Sequence, residues 1–381
     1  MPNDLPQPGA FPKSPPEPGL LRLRTVHRAA AELRRGVPVL FDGPAPLAIV
    51  AAETVGAEGL SELAMLAADE PLLLLSPVRA ATLLRQPVPS GAKVVALRTG
   101  FLFDPALLRG LADPTAAQLL HIPPQQAEAP ALASAALALV KIARLLPATL
   151  AVPLRPDAAR LAAPHLLLAV AAADVLTHPD REAAQLVRVA EAHVPLADAP
   201  DARVVAFRAP DAGVEHLAIL VGQPEHATGL APLARLHSEC FTGDLLGSLR
   251  CDCGPQLRRA LARMGQEGSG VLLYLAQEGR GIGLASKLRA YALQDRGLDT
   301  VDANRALGWQ ADERNYLVAA TMLHQLGITA VRLLTNNPEK IAALQACGVT
   351  VTGREPLVIT PNGINDHYLA TKARRFGHLP Q

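Results

Sequence analysis

Three of the four cysteines, Cys240, Cys251 and Cys253, fall within fourteen residues in the spacing C-x10-C-x-C. A metal shared by these sulfurs would tie residues 240–253 into one turn, and zinc is its natural occupant. Three thiolates leave one tetrahedral position open for water, which distinguishes a catalytic zinc from a closed structural one. The competing readings are ordinary buried cysteines, or a structural site whose fourth ligand is His237 or a distant residue. Cys347, alone in an Ala-rich helical context, reads as a small core residue. Clustered thiols with no disulfide framework suit a reducing compartment, so the expected location is cytoplasmic.

The 381 residues suffice for two domains, each with its own core. Residues 1–20 are rich in Pro and lack a basic segment followed by an apolar run, so they read as a disordered tail rather than a signal peptide. Over 21–182, Ala/Leu/Arg stretches of helical period alternate with β-like runs at 37–41, 72–75 and 93–97. The segment 129–145 is apolar on too many sides for a solvated helix and belongs in an interior or an interface. Near residue 183 the texture changes. Strand-like runs follow at 204–207, 217–221, 270–275 and 330–334, with helical patterns at 285–294 and 315–326. The expected fold class is α/β, as two layered domains with mixed sheets. Aromatic residues make up only 3%, so the cores should be aliphatic. The formal net charge of +1 gives no sequence-independent reason to bind a nucleic acid polymer. No membrane span is expected, because 131–154 is interrupted by Lys141, Arg144 and Pro147, and 166–176 is too short.

A nucleoside triphosphate carries about four negative charges and needs cations and backbone amides at turns. Candidates are Arg235 in R-L-H-S-E-C, the glycine-rich Q-E-G-R-G-I-G at 277–283, and T-N-N-P-E-K at 335–340. The latter two follow predicted strands, where ligand loops belong. A carboxylate such as Glu278 could accept paired hydrogen bonds from guanine N1-H and its 2-amino group. In A-D-E-R-N-Y, Asp312, Glu313 and Arg314 precede a predicted helix, and local sequence alone reads them as a cap and a solvated first turn. Tyr291 alone reads as a core or interface tyrosine.

Taken together, R-L-H-S-E-C-F-T-G-D, S-L-R-C-D-C-G, Q-E-G-R-G-I-G-L, A-Y-A-L-Q-D, A-D-E-R-N-Y and L-L-T-N-N-P-E-K resemble, in order and spacing, the signatures of the GTP cyclohydrolase II family over residues 183–381. The resemblance implies one zinc per subunit on Cys240, Cys251 and Cys253, with Mg2+ accompanying the triphosphate. It implies GTP contacts from Arg235, Leu236, His237, Ser238, Glu239, Gln256, Glu278, Gly279, Arg280, Thr300, Thr335 and Lys340. Asp312 would be a proton acceptor, Arg314 a nucleophile toward the α-phosphorus, and Tyr291 a participant in completing ring opening. The implied activity is release of formate and pyrophosphate from GTP, the first step of riboflavin biosynthesis, by a homodimer.

Residues 21–182 faintly resemble 3,4-dihydroxy-2-butanone 4-phosphate synthase. The acidic metal-binding loop of that family is replaced by Asp42-Gly43-Pro44-Ala45-Pro46-Leu47-Ala48-Ile49, which offers Mg2+ one carboxylate. The expectation is a synthase-like domain without that activity, serving dimerisation or stability. The readings set against catalysis are a GTP-sensing protein that keeps the pocket, and a zinc module that only mediates assembly.

Overall fold

The computed structural model describes residues 17–89, 91–98, 104–117, 124–211, 213–359, 363–364 and 374–375. Most of the expected tail over 1–20 lies outside them. Its end is helix instead: α1 (Pro18–Arg35) starts on a proline, which costs no hydrogen bond at a first helical position. α1 closes on Gly36 at φ 79°, a left-handed cap that glycine adopts without strain.

The first domain continues with β1 (Val39–Asp42), β2 (Leu47–Ala51), α2 (Ala57–Leu66), β3 (Leu72–Leu75), α3 (Pro77–Leu84), β4 (Val95–Arg98) and α4 (Pro105–Ala112). It is completed by β5 (Gln125–Ala127), α5 (Ala133–Ile142), β6 (Ala148–Pro153), α6 (Ala158–Ala162), β7 (Leu168–Ala171) and α7 (Ala172–Ala184). Its sheet runs β5-β4-β3-β6-β2-β1-β7. Only the β1/β7 pair is parallel. The strands Leu47–Ala51 and Leu72–Leu75 are short continuous apolar runs because both faces are covered.

The second domain comprises β8 (Val187–His193), β9 (Arg203–Arg208), β10 (Glu215–Val221), β11 (Leu233–Ser238), α8 (Cys253–Glu267), β12 (Gly270–Leu275) and α9 (Leu284–Gln294). Then come α10 (Thr300–Ala306), α11 (Leu317–Gln325), β13 (Ala330–Leu334), α12 (Pro338–Ala346) and β14 (Thr350–Glu355). The sheet order is β14-β13-β11-β12-β10-β9-β8. β12, β11, β13 and β14 are parallel neighbours, while β8, β9 and β10 extend the sheet antiparallel. Two α/β domains with mixed sheets are thus present, as expected.

The expected strands at 270–275 and 330–334 coincide with β12 and β13. The helix expected from 315 begins later, at Leu317, because the Asn315 side chain accepts the Leu317 N–H at 2.9 Å. That bond draws the chain into a turn before the helix.

The two domains share a core. Ile282, Ala290, Leu293, Ala303, Leu307 and Trp309 of the second pack in one buried cluster with Leu75, Leu97, Leu108 and Leu146 of the first. The apolar helix expected at 129–145 serves both as interior and as interface. α5 buries Ala135, Ala136, Leu139 and Val140. At its end Lys141 pairs with Glu313 at 2.5 Å, and Arg144 donates to the Ala276 carbonyl at 3.1 Å. Arg289 on α9 reaches back to Glu53 and Asp113, each at 2.8 Å.

Candidate active site

Ligand sites in α/β sheets form at the carboxyl ends of parallel strands, and here β11, β12 and β13 end side by side. β11 buries Arg235 and His237 and delivers the chain to Glu239 and Cys240. A single π-turn, Phe241–Leu245, follows. Cys251 and Asp252 then lead into α8, whose first residue is Cys253.

The three sulfurs meet. Their Sγ atoms lie within 4.8 Å of one another, and Cys240 and Cys251 stand 3.8 Å apart. That is beyond any disulfide, and all three cysteines are free. A tetrahedral zinc with bonds of about 2.3 Å spaces its sulfurs by about 3.8 Å, so the donor set fits that ion. No fourth His, Cys, Asp or Glu joins the group among the described residues. His237, the candidate fourth ligand, is turned instead to Asp244, with Nε2 3.1 Å from its carboxylate and the ring stacked on Tyr274. Asp244 also accepts the Cys240 N–H and the Tyr274 hydroxyl, both at 3.0 Å, so it pins the turn rather than the metal.

Gly243 fills the tightest place in this turn. A Cβ there would stand 2.7 Å from the Cys251 sulfur and 2.9 Å from that of Cys240. Its N–H donates to the Cys240 sulfur at 3.3 Å. Lys287 on α9 donates to the same sulfur at 3.0 Å, to Thr242 Oγ1 at 2.9 Å and to Glu278 Oε1 at 2.9 Å. Hydrogen bonds from Cys251, Cys253 and Lys287 hold the Cys240 thiol far below its usual range. Sharing one negative charge with Cys240 pushes Cys251 up to about 11. Cys253 is raised too, first by its hydrogen bond with Cys240, so one sulfur is held as thiolate while the other two would give up their protons to an arriving cation.

The pocket beside the sulfurs gathers every residue that sequence implied for the nucleotide. Arg235, Leu236, His237, Ser238, Glu239, Gln256, Glu278, Gly279, Arg280, Thr300, Thr335 and Lys340 all line it, with Tyr291 and Arg314. Asp312 stands behind Arg314, accepting from its Nε at 2.8 Å and also from Nη2. Burial opposes ionisation of Asp312, but the guanidinium outweighs it and holds the carboxyl below its usual range. Arg235 is held by the Leu334 carbonyl and by Gln256, and burial lowers it to about 10. Lys340 donates to the Leu236 carbonyl at 2.8 Å.

Two loops complete the wall. After β12, Gly279, Arg280 and Gly281 take consecutive left-handed conformations, at φ 63°, 65° and 94°. A left-handed arginine is strained, and such strain concentrates at functional sites. The glycine at 281 is required by contact, since a Cβ would lie 2.9 Å from the Glu313 carbonyl oxygen. After β13, Asn337 caps α12 through the Glu339 N–H, and Thr335 Oγ1 accepts the Asn337 N–H at 3.0 Å.

Glu278 does not present an open carboxylate. Its oxygens accept from Phe241 N at 2.7 Å, Gly279 N at 2.9 Å and Lys287, and it is 5% exposed. It braces the loop after β12 against the sulfur turn. Glu239, half-buried in the pocket wall, is raised above the usual carboxylate range by burial and then by Glu278. Sequence reasoning missed Lys287, although its position one turn before Tyr291 puts both on one face of α9. It also missed the supporting carboxylates Asp244 and Asp252, the latter accepting from Gln256 Nε2 at 2.6 Å.

The sequence profile of GTP cyclohydrolase II matches residues 187–356. A protein of Azospirillum brasilense named GTP cyclohydrolase-2 is 49% identical over 372 residues, covering 94% of each chain. One of the same name from Xylella fastidiosa is 40% identical over 355 residues, covering 92% of this chain and 86% of that one. A solved two-domain 3,4-dihydroxy-2-butanone 4-phosphate synthase from A. baumannii is 18% identical, aligned over 88% of this chain and 99% of its own, with a TM-score of 0.32. With identity sustained along nearly the whole length, through both domains, the chain belongs to the GTP cyclohydrolase II family.

Proposed function

We propose that this chain hydrolyses GTP, opening the imidazole ring of guanine and expelling C8 as formate. Pyrophosphate leaves separately, and the product is 2,5-diamino-6-(5-phospho-D-ribosylamino)pyrimidin-4(3H)-one, the first step of riboflavin biosynthesis. The observation that carries this reading is the convergence of three unpaired sulfurs with five cations, Arg235, Arg280, Lys287, Arg314 and Lys340, in one pocket.

Held by Cys240, Cys251 and Cys253, zinc would supply the Lewis acidity that makes water a nucleophile near neutral pH. The chain's own residues then set what that water meets. Glu239 is placed to accept from guanine N1-H and the 2-amino group, a donor pair that adenine lacks. Arg235, Arg280 and Lys340 receive the triphosphate, which enters with Mg2+ as its counterion. Tyr291 shares the α9 face with Lys287, and its phenol handles the proton that ring opening moves between nitrogen and water. Asp312 grips Arg314 at two nitrogens, which favours the charged guanidinium. We therefore read Arg314 as a fixed cation stabilising charge at the α-phosphorus as water displaces pyrophosphate there, with Asp312 as the residue that positions and charges it.

Formate and pyrophosphate release from GTP tests the reading, with Cys251→Ser as control. The native chain should release both, and the variant should lose formate by at least about a hundredfold. GTP binding without formate release would mark a sensor, and unfolding on chelation with no turnover would mark a structural zinc module.

We further propose that the first domain is a non-catalytic buttress for these loops and that the chain acts as a homodimer. The loop from the exposed end of β1 into β2 runs Asp42, Gly43, Pro44, Ala45 and Pro46, a single carboxylate where Mg2+ needs several oxygen ligands. The full chain should form no 3,4-dihydroxy-2-butanone 4-phosphate from ribulose 5-phosphate, and turnover would overturn the claim. Sedimentation of the native chain reads the dimer.

A further inference from the structure

Away from the sulfur pocket, a second set of metal-competent side chains meets where the domains abut. His27 on α1, with His178 and Glu182 one turn apart on α7, bring a ring nitrogen each and a carboxylate oxygen within 4.8 Å of one another. His27 Nε2 lies 3.4 Å from Glu182 Oε1, and His178 Nε2 lies 3.7 Å from Oε2. Nitrogen and oxygen ligands about 2.0–2.2 Å from a tetrahedral ion stand about 3.3–3.6 Å from each other, so the three groups are already near coordination spacing.

A simple ion-pair cluster does not account for this arrangement. The His178 side chain is 1% exposed, yet neither of its ring nitrogens has a hydrogen-bond partner among the described residues. Protein interiors rarely leave such atoms unsatisfied without an ion or a water to meet them. Behind His27, Asp211 from the turn between β9 and β10 lies 3.7 Å from Nδ1, held in turn by Arg24 Nε at 3.3 Å. The 3.7 Å approach to Nδ1 is electrostatic and beyond hydrogen-bond reach, so His27 Nδ1 also has no hydrogen-bond partner among the described residues. His27 and Glu182 keep side-chain exposures of 24% and 31%, which leaves a path for entry.

We propose that His27, His178 and Glu182 form a second divalent-metal site that clips α1 to α7 beside the joint between the domains. Two imidazoles and one carboxylate form a borderline donor set suited to zinc. The ion binds the folded chain and stabilises it by mass action.

The test uses the full chain with the sulfur site disabled, as Cys251→Ser/Cys253→Ser, stripped of metal and then given Zn2+ or Co2+ alone. One zinc per chain should bind and raise Tm by several degrees. Cobalt should give visible ligand-field absorption without a sulfur-to-metal charge-transfer band. Adding His178→Ala to this background should abolish both effects, and where that variant fails to fold, Glu182→Gln should do the same. With the sulfurs intact, the native chain should hold two zinc ions and His178→Ala one, with formate release within about twofold of native. Absence of metal uptake by the sulfur-disabled chain would overturn the proposal, as would uptake that survives both His178→Ala and Glu182→Gln.

Discussion

The sulfur turn is drawn so tightly that one hydrogen of Gly243 decides whether it closes. A methyl group there would sit 2.7 Å from Cys251 Sγ and 2.9 Å from Cys240 Sγ, well inside van der Waals contact. Gly243→Ala should therefore lower zinc affinity at least about tenfold, by the same logic as a lost orienting contact around a metal. Titration against a competing chelator reads it, and unchanged affinity would mean that the sulfurs do not share an ion. The three ligands were legible because cysteine is scarce and its chemistry narrow. Glu278 was legible as a pocket residue, but its task was not. Its partners Phe241 and Lys287 come from segments whose approach is set by the packing of α9 against the turn, which no spacing encodes.

At the scale of elements, α5 and the segment 310–316 meet across the domain boundary. Lys141 pairs with Glu313 and lies 5.6 Å from the centre of the Trp309 ring. Glu313 accepts the Gln310 N–H at 2.8 Å and donates its own N–H to the Arg280 carbonyl at 3.1 Å. From local sequence Glu313 reads as a solvated first-turn residue, yet it links the first domain to the two segments carrying Arg280 and Arg314. Lys141→Ala should lower kcat roughly tenfold with little change in KM for GTP, as expected when positioning alone is disturbed. Lys141→Arg should restore most of it. A loss that instead tracks Tm across both variants would assign the pair to stability alone. Periodicity located the apolar strands such as 270–275, which are buried, and a few of the helices. It missed the late start of α11, which one asparagine side chain sets.

At the scale of the molecule, two seven-stranded sheets share one continuous core, and this joint has a pH signature. His216 on β10 is 8% exposed, and its Nδ1 accepts the Ala276 N–H at 3.0 Å, next to the loop after β12. Burial lowers its pKa from 6.5 to about 4. Between those values the unfolded chain takes up a proton that the folded chain refuses. Stability should therefore fall as pH drops through this window, by at most about 3 kcal/mol for this group. Tm measured near neutrality and at about pH 5 should diverge less in His216→Gln than in the native chain. The division into two α/β domains was visible in the change of sequence texture, whereas their fused core was not, since Leu146 and Trp309 look like residues of separate interiors.

The central claim is that the sulfur pocket opens the guanine ring, and the fate of one carbon tests it most directly. With GTP isotopically labelled at C8, nuclear magnetic resonance of the reaction should show the label leaving the purine and accumulating as free formate, in step with pyrophosphate. A label that stays in an intact purine, or halts in a formamide, would contradict the account.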